Sequence, residues 1–351
     1  MRLGIIGLPG CGKTTVFNAL TGSAASTGDF SGAERGPNLA VVKVPEPRLA
    51  LLAKLHRPQK VTQVTVEYVD MGGLCGSTDK ERQLGDAFLT AIRPVDALVH
   101  VVRSFPHPLH GPADPPGDFD RVETELIISD LIVVEKRLQR IATDRKRGKR
   151  EDPQELRLLE ECRKTLEEGR PLRRQAAIAD APLLRGYTFL SAKPMLVLVN
   201  QAEGRAGTVF PVRSVETWPP VLEIFGKLEM ELAQLPPEEA LEFMTELGVQ
   251  GWARDRVIVA SHDLLDLICF FTANETEVRA WNVKQDTPAV KAAGVVHSDM
   301  ERGFIRAEVV AYKELEAAGS YAAAQKKGLM RLEGKEYIVQ DGDVIFFRFH
   351  V

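Results

Sequence analysis

The sequence predicts an α/β fold: a mostly parallel sheet with helices, an inserted antiparallel helical hairpin, and a small C-terminal α+β domain. Three observations lead there. Short apolar runs alternate with helical segments along the first 120 residues and again near residue 200. A heptad stripe interrupts that alternation. Beyond residue 267 the pattern changes to strands of alternating, half-exposed character.

The elements follow in chain order. Residues 2–6, Arg-Leu-Gly-Ile-Ile, form an apolar run that stops at Gly7 and reads as a buried parallel strand. A helix is expected from Lys13, through Val16, Phe17 and Leu20. Residues 23–38, rich in Gly, Ser and Ala, read as a mobile connection. Further strands are expected at 64–69, ending in Asp70, at 97–102, at 195–199, ending in Asn200, and at Val257-Ile258-Val259-Ala260.

Ile127, Leu131, Val134, Leu138 and Ile141 are spaced 4-3-4-3, a coiled-coil stripe. Gly148 and Pro153 mark a break, and Leu156, Leu159 and Leu166 share a face of a second helix. Residues 119–186 therefore read as an inserted hairpin. Between 141 and 175 it carries 11 Lys/Arg and 8 Asp/Glu, which suits either a solvated surface or a docking arm. Near the C-terminus, 278–283 and 304–310 read as strands, and 337–339 with 344–349 as a closing hairpin around Asp341-Gly342-Asp343 or a sheet edge. The expected domains are 1–118 with 187–267, the 119–186 arm, and 268–351.

The chain has 351 residues, 44% hydrophobic and 27% charged, with a formal net charge of -4. Any nucleic-acid contact must come from a local basic patch, and no DNA specificity is expected. No apolar run approaches the ~20 residues that span a membrane. The chain enters a strand at once, so no signal peptide is expected. Cys11, Cys75, Cys162 and Cys269 form no CxxC pair, which argues against a zinc site or disulfide framework and for a reduced cytoplasmic setting.

Gly7-Leu8-Pro9-Gly10-Cys11-Gly12-Lys13-Thr14 is G-x-x-x-x-G-K-T, between an expected strand and an expected helix. That is the setting of a phosphate-binding loop. Its backbone N–H groups and the helix N-terminus suit anionic phosphates. Lys13 is expected on the β- and γ-phosphates, Thr14 on a magnesium ion, and Thr15 near the α-phosphate. Asp70-Met71-Gly72-Gly73 follows the D-x-x-G spacing, which places Asp70 beside the metal and the Gly73 N–H beside the γ-phosphate. Many such enzymes carry a Gln after this Gly to orient the attacking water. Here Leu74 stands there, so the orienting group must come from elsewhere; His110, in the loop after the 97–102 strand, is the candidate. Asn200-Gln201-Ala202-Glu203 stands where guanine-specific proteins carry N-K-x-D. With Gln201 for Lys and Glu203 for Asp, the guanine-reading logic is broken, which points toward ATP.

These motifs, with the insert and the small C-terminal domain, resemble the YchF/Obg-like ATPase family over nearly the whole chain. The most specific stretches are Phe270-Phe271-Thr272-Ala273, Glu277-Val278-Arg279-Ala280-Trp281, Ala292-Ala293-Gly294-Val295-Val296-His297, 303–309 and 339–345. The last domain is similar to the family's TGS domain, a β-grasp fold. The resemblance implies a P-loop NTPase G domain with a C-terminal β-grasp (TGS) domain, ATP preferred over GTP, slow hydrolysis to ADP and phosphate, and ribosome or ribosomal RNA association. It matches Leu74 to the family's hydrophobic residue and His110 to its catalytic histidine.

The chain also departs from that pattern. Relatives usually read G-L-P-N-V-G-K-S; Gly10 and Cys11 replace Asn and Val. The Asn amide helps hold potassium in related NTPases, so a potassium requirement stays open. Ser31 is the candidate for the threonine that closes on magnesium. Cys11 reads first as a small residue that merely fits the loop; the alternative is a thiol whose pKa is lowered at a helix N-terminus beside Lys13, open to oxidation. Alternatives are a GTP-binding translation factor, a nucleotide-binding switch with negligible hydrolysis, and a small-molecule kinase, the last disfavoured by the D-x-x-G and N-x-x-E motifs.

Overall fold

The computed structural model describes residues 1–25, 37–70, 85–202, 219–246 and 251–350. Its strands are β1 (Arg2–Ile6), β2 (Asn38–Lys43), β3 (Lys60–Thr62), β4 (Thr65–Asp70), β5 (Ala97–Arg103), β6 (Met195–Asn200), β7 (Val221–Ile224), β8 (Leu267–Ala273), β9 (Glu277–Lys284), β10 (Phe304–Ala311), β11 (Arg331–Glu333) and β12 (Asp343–Phe349). The chain forms two compact units. One comprises Met1–Val42 and Glu67–Val257, the other Lys43–Val66 and Ile258–Val351.

The first unit is built on a six-stranded sheet in the order β2-β4-β1-β5-β6-β7. β1 runs parallel to β4 and β5, β5 to β6, and β6 to β7. Every residue of β5 and β6 is buried, which is why both read as unbroken apolar runs: a central parallel strand is covered on both faces. Ile6, Leu98, Val102, Val197 and Val199 pack with Phe119, Val122 and Leu126 of a long helix. All parallel strands deliver their C-terminal ends to one edge, where Gly7, Asp70, Ser104 and Gln201 lie.

The insert is an antiparallel helical pair, Pro115–Lys146 and Pro153–Glu167. Pro opens each helix, where its missing N–H costs nothing. Asp114 accepts from Gly117 N, and Asp152 from Gln154 N and Glu155 N, as N-caps. Of the expected stripe, Ile127, Val134 and Ile141 are buried against Leu159, Cys162 and Leu166, with Leu131 and Leu138 at the margin. Arg137 and Glu155 tie the two helices by a bidentate pair.

The second unit holds a mixed sheet in the order β11-β10-β12-β8-β9-β3. β12 is antiparallel to β10 and parallel to β8, and β3 is parallel to β9. One face packs on helix Ala289–Val296 through Phe270, Ala289, Ala292, Ala293, Val309 and Ile345. The other includes Phe271, Ala280, Val310 and Val344, which pack with Leu49 and Leu52 of helix Arg48–His56. Phe270 and Phe271 thus serve opposite faces, as strand periodicity requires.

Two expectations need correction. Val257-Ile258-Val259-Ala260 is not a strand but the middle of helix Ala253–Asp263. A four-residue apolar run does not distinguish the two states; here Val257, Ile258 and Ser261 are buried while Val259 is 38% exposed, a helical rhythm. The fifth parallel neighbour is instead β7. Residues 337–339 form no hairpin with β12; Ile338 makes only an isolated bridge to Pro288, while β12 pairs with β10 and β8. Residues 43–66 go with the C-terminal segment and the helical arm goes with the first sheet.

Candidate nucleotide site

The loop between β1 and helix Lys13–Thr21 sets the geometry. Gly12 is the helix N-cap with φ 89°, and no side chain caps the first turn. The N–H groups of that turn therefore face a prospective ligand. A Cβ on Gly12 would stand 2.3 Å from Asn200 Nδ2. Asn200 uses both ends of its amide here: Nδ2 donates to the Cys11 carbonyl at 3.0 Å, and Oδ1 accepts from Gly226 N at 3.1 Å. It therefore ties the phosphate loop to the end of β6 and to helix Gly226–Leu232.

Lys13 is buried, and its ammonium donates to the carbonyls of Gly7 at 3.1 Å and Leu8 at 3.0 Å. Both acceptors belong to the loop itself, so the charge is held next to the place it would serve. Thr14 Oγ1 donates to Asp70 Oδ2 at 2.9 Å, and Asn38 Nδ2 donates to the same oxygen at 3.2 Å. Asp70 is 1% exposed, and its other oxygen, Oδ1, is buried with no hydrogen-bond partner among the described residues. Thr15 lies one residue further along the helix, and Pro9 and Gly10 form the crest of the loop.

His110 sits over that crest. A Cβ on Gly10 would meet His110 Cδ2 at 2.5 Å and Nε2 at 3.0 Å, with His107 Nε2 at 3.4 Å. The two imidazoles are 4.8 Å apart. Their loop is held from beneath by Arg103, the last residue of β5. Its guanidinium donates to the carbonyls of Phe105 (2.8 Å), Gly111 (2.9 Å) and Pro112 (3.1 Å). Arg103 is itself buried beside Asp118.

Cys11 contradicts the redox alternative. Its side chain is 2% exposed, and burial raises the thiol pKa more than Lys13 lowers it. The helix N-terminus and the lysine are present, but the low-dielectric surroundings win, because they penalise the thiolate directly. Gln201 is also buried, and neither Oε1 nor Nε2 has a hydrogen-bond partner among the described residues.

The structure thus brings together Gly7, Pro9, Gly10, Cys11, Gly12, Lys13, Thr14, Thr15, Asp70, Asn200, Gln201 and His110. Gly73, Leu74, Glu203 and Ser31 lie outside the described residues. Sequence reasoning missed Asn38, Arg103, His107 and Gly226. Arg103 alone had a signal, as a charged end to an otherwise apolar buried strand.

Residues 2–137 match the family described as 50S ribosome-binding GTPase. Residues 267–350 match the YchF-GTPase C-terminal family, described as a protein of unknown function (DUF933). The ribosome-binding ATPase YchF of Bacillus subtilis (strain 168) is 39% identical over 364 residues, covering 100% of both chains. Obg-like ATPase 1 of Oryza sativa subsp. japonica is 33% identical, covering 100% of this chain and 92% of its own. The solved structure of the Schizosaccharomyces pombe YchF GTPase has a TM-score of 0.84 at 28% identity, covering 99% of this chain and 97% of that one. With the phosphate loop, the arm and the C-terminal sheet all in place, this chain belongs to the YchF/Obg-like ATPase family.

Proposed function

We propose that this chain is a magnesium-dependent ATPase that hydrolyses ATP slowly to ADP and phosphate and acts as a ribosome-associated switch in the cytoplasm. The observation that carries the reading is the Thr14–Asp70 pair at the mouth of the phosphate loop, with Asp70 Oδ1 left over. A buried carboxylate oxygen without a partner is costly. A hydroxyl and a carboxylate are hard oxygen donors, the set that suits magnesium. Thr14 and Asp70 would hold the ion, which when bound neutralises charge on the β- and γ-phosphates.

The remaining work falls to the chain. Lys13 exchanges the Gly7 and Leu8 carbonyls for phosphate oxygens. The N–H groups of Gly12, Lys13 and Thr14 stabilise the same charge, and the D-x-x-G spacing assigns the Gly73 N–H to the γ-phosphate. Leu74 offers no polar atom, so His110, above Gly10, orients the attacking water. Asn200 fixes the loop against the base side of the site, where Gln201 and Glu203 replace the guanine-reading pair. Asp70→Asn and Thr14→Ala should each abolish magnesium-dependent hydrolysis. Full activity in either variant would sink the assignment.

The relatives' names speak of ribosome binding, and the second unit offers candidate contacts. Lys284 and Arg306 are exposed on its sheet. Arg279 lies over the Trp281 ring at 3.9 Å, and Arg302 pairs with Asp299, so these two are already engaged. Among the described residues no helix is long and apolar enough to cross a membrane. Sedimentation with ribosomes in the presence of an ATP analogue and of ADP tests the association; absence from the ribosomal fraction in both states refutes it. The match to a GTPase family keeps a GTP-binding translation factor as the second reading. Direct comparison of ATP and GTP affinities decides between them.

A further inference from the structure

We propose that His107 is a second catalytic residue of the nucleotide site: its Nε2–H, held beside His110 over Gly10, donates to the γ-phosphate at the point where related NTPases carry a potassium-holding asparagine. Hydrolysis by this chain is then independent of potassium. The inference rests on the nucleotide-site reading above and adds a donor to it.

The loop that carries both histidines is closed on itself. His107 N donates to the Gly111 carbonyl at 2.9 Å, Gly111 N returns the bond at 2.8 Å, and His110 N donates to the His107 carbonyl at 3.2 Å. Gly111 takes φ 68°, which lets the chain reverse within this short span. The ring centroids are 4.8 Å apart and the planes are inclined by 31°. A Cβ on Gly10 would meet His110 Nε2 at 3.0 Å and His107 Nε2 at 3.4 Å. The same ring nitrogen of each histidine therefore faces the crest of the phosphate loop.

The two rings are not equivalent. His107 Nδ1 accepts from Leu109 N at 3.2 Å. An imidazole nitrogen that accepts carries no proton, so the ring proton of His107 is on Nε2. A hydrogen-bond donor is thus aimed at the loop whose backbone N–H groups already suit phosphate. Donors fixed in advance where charge develops are usually the largest single contribution to catalysis of this kind. His110 is assigned to the attacking water, so the adjacent Nε2–H falls to the phosphate under attack.

The same place is where a monovalent cation would need a ligand. An asparagine at position 10 would direct its amide into the space that the two rings fill, since even a Cβ there stands 2.5 Å from His110 Cδ2. Glycine supplies no side-chain oxygen, and potassium is held by oxygen ligands. An N–H donor turned toward a cation repels it. The residues present at this point therefore do not fit a potassium ion, and the phosphate charge that the ion would offset is met by His107 instead.

The test is single-turnover hydrolysis of ATP by the full-length chain, with magnesium, in KCl and in NaCl at equal ionic strength. Rates in the two salts should agree within about twofold, and a rate about tenfold or more higher in KCl overturns the proposal. His107→Phe keeps an aromatic ring and removes the donor. It should slow hydrolysis about tenfold or more. Its ADP affinity should stay within about threefold of wild type, because ADP lacks the γ-phosphate. A folded variant as fast as wild type refutes the contact. A His110→Ala background separates donation to phosphate from support of the neighbouring ring. There His107→Phe should slow the residual reaction by a similar factor; no further slowing would make His107 a positioning residue for His110 and sink the direct contact. Should His107→Phe lose ADP binding, the salt comparison on wild-type protein still decides. Failure of the wild-type chain to bind or hydrolyse ATP in either salt would overturn the ATPase reading itself, a distinct failure.

Discussion

Gly10 lies directly beneath His110: a methyl group on Gly10 would stand 2.5 Å from the imidazole Cδ2. Gly10 also has φ 71°, a conformation costly for any side chain. The glycine that replaces the family's usual Asn therefore makes room for the ring proposed to orient water. Gly10→Ala should displace His110 and slow single-turnover hydrolysis. His110→Ala should slow it about 100-fold, within the range of general acid–base and water-orienting groups. The double variant should be no slower than His110→Ala, since both changes act on one ring. Fully multiplicative effects would show that Gly10 acts on the phosphates instead.

Asn200 supports two backbone groups that have no water to turn to. Asn200→Ala leaves the Cys11 carbonyl and the Gly226 N–H facing a void. Stability should fall by about 2–4 kcal/mol, summing two lost buried bonds. Urea unfolding of nucleotide-free protein measures this directly. Asn200→Asp should restore the bond from Gly226 but repel the carbonyl, and so recover only part of the loss.

The sequence revealed the phosphate loop, Asp70 and Asn200 because each follows a central strand whose apolar run is unmistakable. β1, β4, β5 and β6 are buried on both faces, so burial writes itself into composition. β2 and β7 escaped because they are edge strands: Leu39 and Val41 of β2 are more than half exposed, and β7 has four residues. The seat of His107 depends on how a loop folds back over the sheet edge, which no local pattern encodes, whereas Arg103 showed only as a charged end to β5. At Cys11 the sequence left two readings open. Its neighbours in sequence favour the thiolate, while its neighbours in space, invisible to sequence, exclude it.

His100, in the middle of β5, should make the protein acid-sensitive. It is 1% exposed and stacked on Phe119 at 5.2 Å. Burial, reinforced by the positive charges of Arg173 and Lys13, pushes its pKa down to about 3 from an ordinary 6.5. The unfolded chain therefore takes up a proton between pH 6.5 and 3 that the folded chain refuses. Stability is complete above pH 6.5 and is lost as pH falls toward 3. At pH 5 the loss from this group should reach about 2 kcal/mol. His100→Phe, which keeps an aromatic ring and cannot titrate, should flatten the fall in denaturation midpoint between pH 7 and 5. A variant as acid-sensitive as wild type would move the cause to other groups.

Residues 43–66 are separated from the C-terminal segment by about 200 residues of chain, yet complete its sheet and core. Leu49 and Leu52 are buried among Phe271, Ala280, Val310 and Val344. β3 extends the sheet beyond β9, with Thr62 Oγ1 donating to Glu277 Oε1 at 2.5 Å. Arg48 grips Asp341 at 2.6 Å, pairs with Glu46 and lies 5.0 Å over Phe271. A fragment of residues 258–351 alone should therefore expose an apolar face and lack an edge strand. Burying two leucines contributes about 3–6 kcal/mol on ordinary transfer scales, a large share of a small domain's stability. The fragment should melt well below the full chain and bind hydrophobic dyes. A peptide of residues 43–66 added in trans should raise its melting temperature, and the same peptide carrying Leu52→Asp should not. Equal stability of the fragment with and without the peptide would show that the C-terminal segment closes its core unaided.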